Sequence, residues 1–166
     1  MADASQHVTP VFAVGFLLST LGYQSHAVWE ERLEPLGLSS RQAATLIHVA
    51  RAQGRSGQSQ QMLARLLRIA PSRVVALVDE LERRGLLRRR TDRADRRVRT
   101  LRLTAQGKVL VRVLAEVTDA HEAWLLAGLN DAEREHLLTL LKKVAAGLDV
   151  SETAHTGLDG PDWRRP

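Results

Sequence analysis

Arginine side chains are concentrated in one short stretch of this sequence. Residues 83–102 hold ten arginines and only two acidic residues, whereas the rest of the chain carries a net negative charge. A guanidinium group donates hydrogen bonds in a fork that matches phosphate oxygens and the edge of guanine. One strongly basic patch on a mildly acidic body is typical of a protein that binds a polyanion.

Other kinds of chemistry find little support in the sequence. The chain has no cysteine, which excludes disulfides, thiolate metal sites and cysteine redox sensors. His121-Glu122 and Glu135-His136 have no third ligand at a useful spacing, so we predict no metal site. Because there is no G-x-S-x-G, phosphate-loop or H-E-x-x-H motif, we expect neither an enzyme nor a cofactor. The apolar run 11–21 is too short to cross a bilayer, and no signal peptide is evident, so we expect a cytoplasmic protein.

Composition and turn residues predict a fold that is mainly helical. Hydrophobic residues make up 44% of the chain but aromatic residues only 4%, which favours helices packed through Leu, Val and Ala. Capping residues, prolines and glycines set the boundaries of the predicted helices. The six predicted helices span about 10–34, 39–52, 60–67, 71–84, 105–126 and 131–146.

The third and fourth predicted helices form a helix-turn-helix pattern, in which two short helices are joined by a tight turn. Apolar residues recur on the fourth helix at 3.6-residue spacing, so we expect this stripe to be buried. The stripe comprises Val74, Leu77, Val78 and Leu81. Two strands of a β-hairpin follow, Leu86–Thr91 and Arg97–Leu103, with Asp92–Arg96 as the tip between them.

The segment from Leu63 to Gly107 resembles the MarR family of regulators. The most specific part of the resemblance is the motif Asp95-Arg96-Arg97, followed by Leu101, Leu103, Thr104 and Gly107. It implies a single domain over residues 1–149, with a winged helix-turn-helix lobe at about 39–104 and dimerisation helices at about 10–34 and 105–147. Residues 150–166 lie outside it and are predicted to be a disordered tail.

The resemblance also implies a function. It predicts a homodimer that binds double-stranded DNA at a palindromic operator, acts as a repressor, and releases DNA when a small aromatic or lipophilic effector binds. The apolar residues of the first and sixth helices would supply the dimer interface, although they could instead pack within one subunit. These residues are Val11, Phe12, Val14, Leu17, Leu18, Leu21, Leu137, Leu138, Leu140, Leu141 and Val144.

Four residues of the fourth helix are candidates for contacts with bases, because the predicted stripe leaves them exposed. They are Ser72, Arg73, Val75 and Ala76. Arg73 can present its fork to guanine, and Ser72 can bond a phosphate or a base edge. Val75 and Ala76 offer only apolar contacts, where many family members carry a polar and a basic residue. The alternative for Arg73 is a solvated side chain or an ion pair with Glu80.

The hairpin tip is the candidate for contact with the minor groove, whose negative potential is strongest where the groove is narrow. Arg93, Arg96 and Arg97 are the candidate arginines, and we favour Arg93 and Arg97. The resemblance implies that Asp95 pairs with an arginine and fixes the direction of its fork. An ordinary charged loop is the alternative interpretation.

Phosphate contacts are expected where the third helix begins. Gln58, Ser59 and Gln60 offer hydrogen-bond donors there, and the positive end of the helix dipole favours an anion. Ser59 is also a candidate N-cap, and the two roles are compatible.

An effector pocket is predicted between the dimerisation helices and the helix-turn-helix lobe, where the resemblance implies one. Tyr23, His26 and Trp29 on the first helix and His48 on the second are its candidate lining. The alternative is that all four are ordinary core or junction residues.

A different class of function remains open for the same sequence. A winged-helix module that binds a protein or RNA would share the basic hairpin and the acidic body, and it would not require paired half-sites on DNA. A membrane-surface protein fits less well, because the basic segment has no interleaved apolar face.

Overall fold

The computed structural model describes residues 11–52, 58–91 and 99–148. Within these ranges the chain forms six α-helices and three short β-strands. The elements are α1 (Val11–Leu33), α2 (Ser40–Ala52), β1 (Gln58–Ser59), α3 (Gln60–Leu67), α4 (Pro71–Arg83), β2 (Leu87–Thr91), β3 (Arg99–Leu103), α5 (Ala105–Leu125) and α6 (Asp131–Gly147). The prediction of a mainly helical fold with a small hairpin is confirmed.

The helices begin at the residues whose side chains can cap them. Ser59 Oγ accepts from Met62 N at 3.1 Å, and Thr104 Oγ1 accepts from Gly107 N at 3.0 Å. Asn130 forms a capping box at the start of α6. Such caps satisfy backbone N–H groups that have no partner within the helix. Residue 10, where the first helix is predicted to start, lies outside the described residues.

The three strands form one antiparallel sheet in the order β1-β3-β2. The predicted hairpin is β2 and β3, with Arg89 opposite Leu101. Strand β2 begins one residue later than predicted, at Leu87, and β3 is described from Arg99 onward. Strand β1, in which Gln58 pairs with Leu101, was not predicted. The reason is that a strand of two residues is too short to produce an alternating pattern of apolar and polar residues.

The hydrophobic core lies between the C-terminal end of α1, helices α2, α3, α4 and α5, and the inner face of the sheet. Its largest fully buried side chains are Leu33, Leu46, Leu63, Leu67, Leu81, Leu87, Leu101 and Leu114. The predicted stripe on α4 is correctly placed, since Val74, Val78 and Leu81 are fully buried and Leu77 is half-buried. The core therefore fixes which side of α4 faces solvent.

Helices α1 and α6 leave apolar side chains uncovered. No described residue of α6 is buried, and Leu138 and Val144 are each about half exposed. On α1, Val14 and Leu17 are even more exposed. None of the helices in the described ranges has both the length and the apolar character needed to cross a membrane. These apolar surfaces are not covered within one copy of the chain.

The start of α5 is joined tightly to the end of α4. Thr104 N donates to Leu86 O at 3.1 Å, and Thr104 Oγ1 donates to Gly85 O at 2.6 Å. Gly107 lies so close to this junction that an added Cβ would overlap Leu86 O and lie 3.3 Å from Leu103 Cδ2. A glycine is therefore required for α5 to approach the backbone at Leu86.

We expect Gly107→Ala to lower the free energy of unfolding by about 1–3 kcal/mol. In an open helical position alanine stabilises the fold relative to glycine by about 0.8–1.0 kcal/mol. A loss of stability in Gly107→Ala would therefore come from the overlap of the added methyl group with Leu86 O. Urea denaturation at one protein concentration measures the change. Gly128→Ala is the matched control, because a Cβ there meets nothing within 4 Å. A Gly107→Ala protein as stable as the wild type would contradict the close approach.

Candidate nucleic-acid interface and adjoining cleft

Helix α4 presents the four predicted base-contact residues on one side. Ser72, Arg73, Val75 and Ala76 are all exposed, and Val75 has an exposed fraction of 44%. Pro71 occupies the first turn, where a missing N–H costs no hydrogen bond. The opposite side of the helix is buried in the core, so the N-terminal half of α4 is held with these residues facing outward.

The turn before α4 and the start of α3 lie beside this surface. Arg68 adopts a left-handed conformation with φ of 50°, which ends α3 and allows the chain to enter α4. Ser59 and Gln60 are half-buried at the start of α3. Gln58, however, lies in β1 and is only 6% exposed. The side-chain amide nitrogens of both Gln58 and Gln60 are buried, so Ser59 is the predicted phosphate contact whose side chain is best placed to meet an anion.

Strand β2 carries arginines on both faces. Arg88 and Arg90 are exposed, and they alternate with Leu87, which is buried, and Arg89, which is half-buried. Side chains two residues apart point to the same face of a strand, so Arg88 and Arg90 lie on the outer face. The residues predicted to act at the minor groove lie outside the described part of the chain; these are Arg93, Asp95, Arg96 and Arg97.

Arg89 links β2 to the exposed side of α4. Its guanidinium forms ion pairs with Asp79 and Glu82, and its backbone N–H donates to Glu82 Oε1 at 3.0 Å. Burial alone would lower the pKa of Arg89, but the hydrogen bonds to Asp79 and Glu82 outweigh it and raise the pKa. This contact was not predicted from the sequence. A signal for it exists, because Arg89 lies two residues after the buried Leu87 and therefore on the same inner face of β2.

The acidic residues of α4 are engaged by arginines other than Arg73. Glu80 pairs with Arg83 three residues further along the helix, and Asp79 pairs with Arg89. The alternative in which Arg73 forms an ion pair with Glu80 is therefore not the arrangement in the structure. Arg73 lies one helical turn or more from these carboxylates along the sequence and is exposed.

A cleft of about 950 Å³ lies between α1, α5 and α6, and it is open to solvent. Apolar atoms make up the larger part of its walls, but four charged residues also line it: Glu122, Asp131, Arg134 and Glu135. Its lining includes His26, Trp29, Thr118, His121, Glu122 and Leu138. Two of the four predicted pocket residues, His26 and Trp29, line this cleft.

The other two predicted pocket residues lie elsewhere. Tyr23 is 67% exposed, and His48 is buried within α2, and neither lines the cleft. The contribution of α5 was not predicted; its residues Thr118, His121 and Glu122 line the opposite wall. A helical hydrophobic pattern does not reveal which distant helix faces a given residue, so no sequence signal pointed to these three.

Aromatic rings and a hydrogen bond join α1 to α5 at the cleft. The rings of Trp29 and His121 meet edge to face with centroids 5.3 Å apart, and Ser25 Oγ lies 3.0 Å from His121 Nε2. On α1, Glu30 accepts a hydrogen bond from the backbone of Ser40 at 3.2 Å. The cleft wall is thus connected directly to the start of α2 in the helix-turn-helix lobe.

Comparison with known proteins places this architecture in a family. The model of the MarR family matches residues 36–98. CouR from Rhodococcus jostii RHA1, solved bound to p-coumaroyl-CoA, is 30% identical, with a TM-score of 0.70 over 80% of this chain and 92% of that one. A transcriptional regulator of the MarR family from Rhodococcus sp. RHA1 is also 30% identical, with a TM-score of 0.68 over 80% of this chain and 91% of that one. This chain belongs to the MarR family.

A further MarR-like structure contains DNA. In the S. aureus MepR–DNA complex the protein is 26% identical to this chain, with a TM-score of 0.72 over 82% of this chain and 97% of that one. Membership of the MarR family makes this chain a DNA-binding transcription regulator with a winged helix-turn-helix fold. In this fold α3 and α4 form the helix-turn-helix, and β2 and β3 form the wing.

Proposed function

We propose that this MarR-family protein acts in the cytoplasm as a homodimeric repressor that binds a palindromic operator and is released by a small effector. The observation that carries the proposal is the orientation of α4, whose buried side holds Val74, Val78 and Leu81 while Ser72 and Arg73 face outward. In a helix-turn-helix protein, the N-terminal residues of the second helix contact base edges in the major groove.

Arg73 carries most of the base contact in this proposal. Its guanidinium can donate two hydrogen bonds to O6 and N7 of guanine, whereas Val75 and Ala76 can make only apolar contacts, for example with thymine methyl groups. Ser72 lies beside Arg73 and is suited to a phosphate or a base edge. Base preference therefore depends on one charged side chain more than on a set of polar ones.

The wing and the start of α3 supply the contacts to the DNA backbone. Arg88 and Arg90 project from the outer face of β2 and are free to meet phosphates. Ser59 and Gln60 lie at the positive end of α3, which favours a phosphate oxygen. We propose that arginines of the tip, Arg93 and Arg97 first among them, enter the minor groove, with Arg96 and Asp95 beside them.

We expect Arg73→Ala to reduce the preference for the correct base at one operator position by about 1–3 kcal/mol. The reason is the loss of both hydrogen bonds to one guanine, while phosphate contacts remain. Competition binding against operators altered one base pair at a time measures the change. Arg83→Ala is the matched control, since this exposed arginine lies at the far end of α4 and pairs with Glu80. If Arg73→Ala kept the full preference at every position, α4 would not carry the base contacts.

The homodimer is supported by the apolar surfaces of α1 and α6. Leu138, Leu140, Leu141 and Val144 on α6 are between 39% and 53% exposed, and no residue of this helix is buried. Removing apolar surface from water stabilises an association by roughly 25 cal/mol per Å². A second copy that covers these side chains, together with Leu17 on α1, would place two α4 helices in successive major grooves.

Introducing charge on α6 tests the dimer. Leu140→Asp with Val144→Asp, two exposed positions that do not line the cleft, is expected to give a monomer in sedimentation velocity and to abolish operator binding, because a carboxylate buried at an interface is strongly unfavourable. Thr139→Asp is the matched control on the same helix. A double variant that stays dimeric and binds the operator would show that the interface lies elsewhere.

The cleft between α1, α5 and α6 is the site at which we place the effector. Trp29 offers an aromatic wall, and His26, Thr118 and His121 offer polar groups, which together suit a small aromatic or lipophilic molecule. Since α5 continues from the wing to this cleft, an occupant of the cleft lies against the helix that adjoins the DNA-binding lobe.

A substitution that fills the cleft tests the effector. A Cβ at Gly22, which lines the cleft, meets nothing within 4 Å, so Gly22→Leu should occupy cleft volume without disturbing the core. We expect an aromatic ligand library to yield compounds that raise the wild-type melting temperature and release DNA, and Gly22→Leu to lose both effects. Gly128→Leu, outside the cleft lining, should retain them. A screen without any compound that shifts the melting temperature or releases DNA would argue against the effector.

A further inference from the structure

Arg89 belongs to the basic segment but is turned away from solvent. Its side chain is 19% exposed, whereas that of Arg83 is 74% exposed. It lies on the same face of β2 as the buried Leu87, and opposite Leu101 in the sheet. A position on the inner face directs Arg89 toward α4 and away from the outer surface that Arg88 and Arg90 occupy.

The contacts of Arg89 connect the two elements that the proposed function brings to DNA. Asp79 and Glu82 both belong to α4, and both pair with the guanidinium of this one β2 residue. Glu82 also accepts the backbone N–H of Arg89 at 3.0 Å. An arginine that bridges two carboxylates in this way is held in one orientation, since its donors form a planar fork.

We propose that Arg89 is a positioning residue that fixes the wing relative to the recognition helix α4, rather than a contact to DNA phosphate. The inference rests on the proposed function, because it concerns the same surface. We name the three residues Arg89, Asp79 and Glu82 the wing clasp. In the clasp Asp79 supports DNA binding by helping to hold Arg89, although by charge alone a carboxylate on α4 opposes DNA binding.

The effect of neutralising Asp79 on operator affinity distinguishes the wing clasp from a direct contact between Arg89 and phosphate. If Arg89 contacted phosphate and Asp79 only repelled DNA, Asp79→Asn would strengthen binding. In the clasp the same substitution removes a bond that holds Arg89, so binding weakens although a negative charge near DNA is lost. The direction of the change in affinity therefore separates the two roles.

The test measures operator affinity and the melting temperature of the free protein in a double-mutant cycle. We expect Arg89→Gln to lower the melting temperature and to weaken operator binding by about tenfold, equivalent to about 1.4 kcal/mol. Asp79→Asn in the wild-type background should weaken binding by about threefold, as for a partly exposed ion pair. In the Arg89→Gln background, Asp79→Asn should instead strengthen binding, because the carboxylate then only repels phosphate.

Four further variants serve as controls in the same assay. Glu80→Gln, next to Asp79 but outside the clasp, should bind as tightly as the wild type or more tightly. Arg88→Gln should keep the melting temperature but reduce the slope of log K against log salt by about 0.9 for a lost phosphate contact. Arg89→Lys should recover part of the affinity. Val49→Ala, in the core on α2, should lower the melting temperature without changing affinity at temperatures where the protein is folded.

Two results would overturn the wing clasp. If Asp79→Asn strengthened operator binding both in the wild type and in Arg89→Gln, Arg89 would be a phosphate contact. If Arg89→Gln lowered the melting temperature but kept the operator affinity, the ion pairs of Arg89 would have only a structural role. Failure of the proposed function is a separate outcome, because the wild-type protein would then bind no operator. The melting temperatures of the variants would still report whether the wing clasp forms.

Discussion

The hydrogen bonds between Thr104 and the turn after α4 are the constraint on which the rest of the structure depends. Thr104 bonds to the carbonyl oxygens of Gly85 and Leu86 and, through its hydroxyl, accepts from Gly107 N in the first turn of α5. Gly85 has a φ of 70°, which lets the chain leave α4 sharply and enter β2. The recognition helix, the wing and α5 therefore meet within a few residues and are fixed to one another.

This junction explains how a DNA-binding surface and a distant cleft can belong to one mechanism. The N-terminal end of α5 is anchored beside α4 and the wing, and its C-terminal half supplies Thr118 and His121 to the cleft. Opposite them, Trp29 and Glu30 on α1 contact α5 and the start of α2. A packed helix transmits a displacement as a unit because interiors are dense and deform little. In the proposed mechanism, an effector in the cleft changes the spacing of the two recognition helices through α5.

The helices were predicted well from the sequence, because the position of a helix end depends on a few neighbouring residues. Ser59, Thr104 and Asn130 are cap residues whose effect is confined to one turn, and Gly37 and Gly85 adopt the left-handed conformation typical of helix ends. The buried stripe of α4 follows from 3.6-residue spacing alone. These features require no knowledge of distant parts of the chain.

The features that sequence did not predict all depend on distant partners. Strand β1 exists only because Gln58 and Ser59 pair with β3 more than forty residues later. In the sequence Arg89 is one of three consecutive arginines, and only the tertiary structure shows that it faces Asp79 and Glu82. Tyr23 and Trp29 are both aromatic residues of α1, but packing buries Trp29 at the cleft and leaves Tyr23 exposed. Composition cannot distinguish such positions because it contains no tertiary contacts.

Hydroxyl-radical footprinting on the DNA that flanks the coding gene tests the central claim, sequence-specific DNA binding by a two-fold dimer, most directly. The account predicts two protected half-sites related by a dyad, with their centres about 34–36 Å apart, one helical turn of B-DNA. Protection of minor-groove sugars on the outer flanks would mark the two wings. Uniform protection without sequence preference, or a single protected half-site at saturating protein, would contradict it.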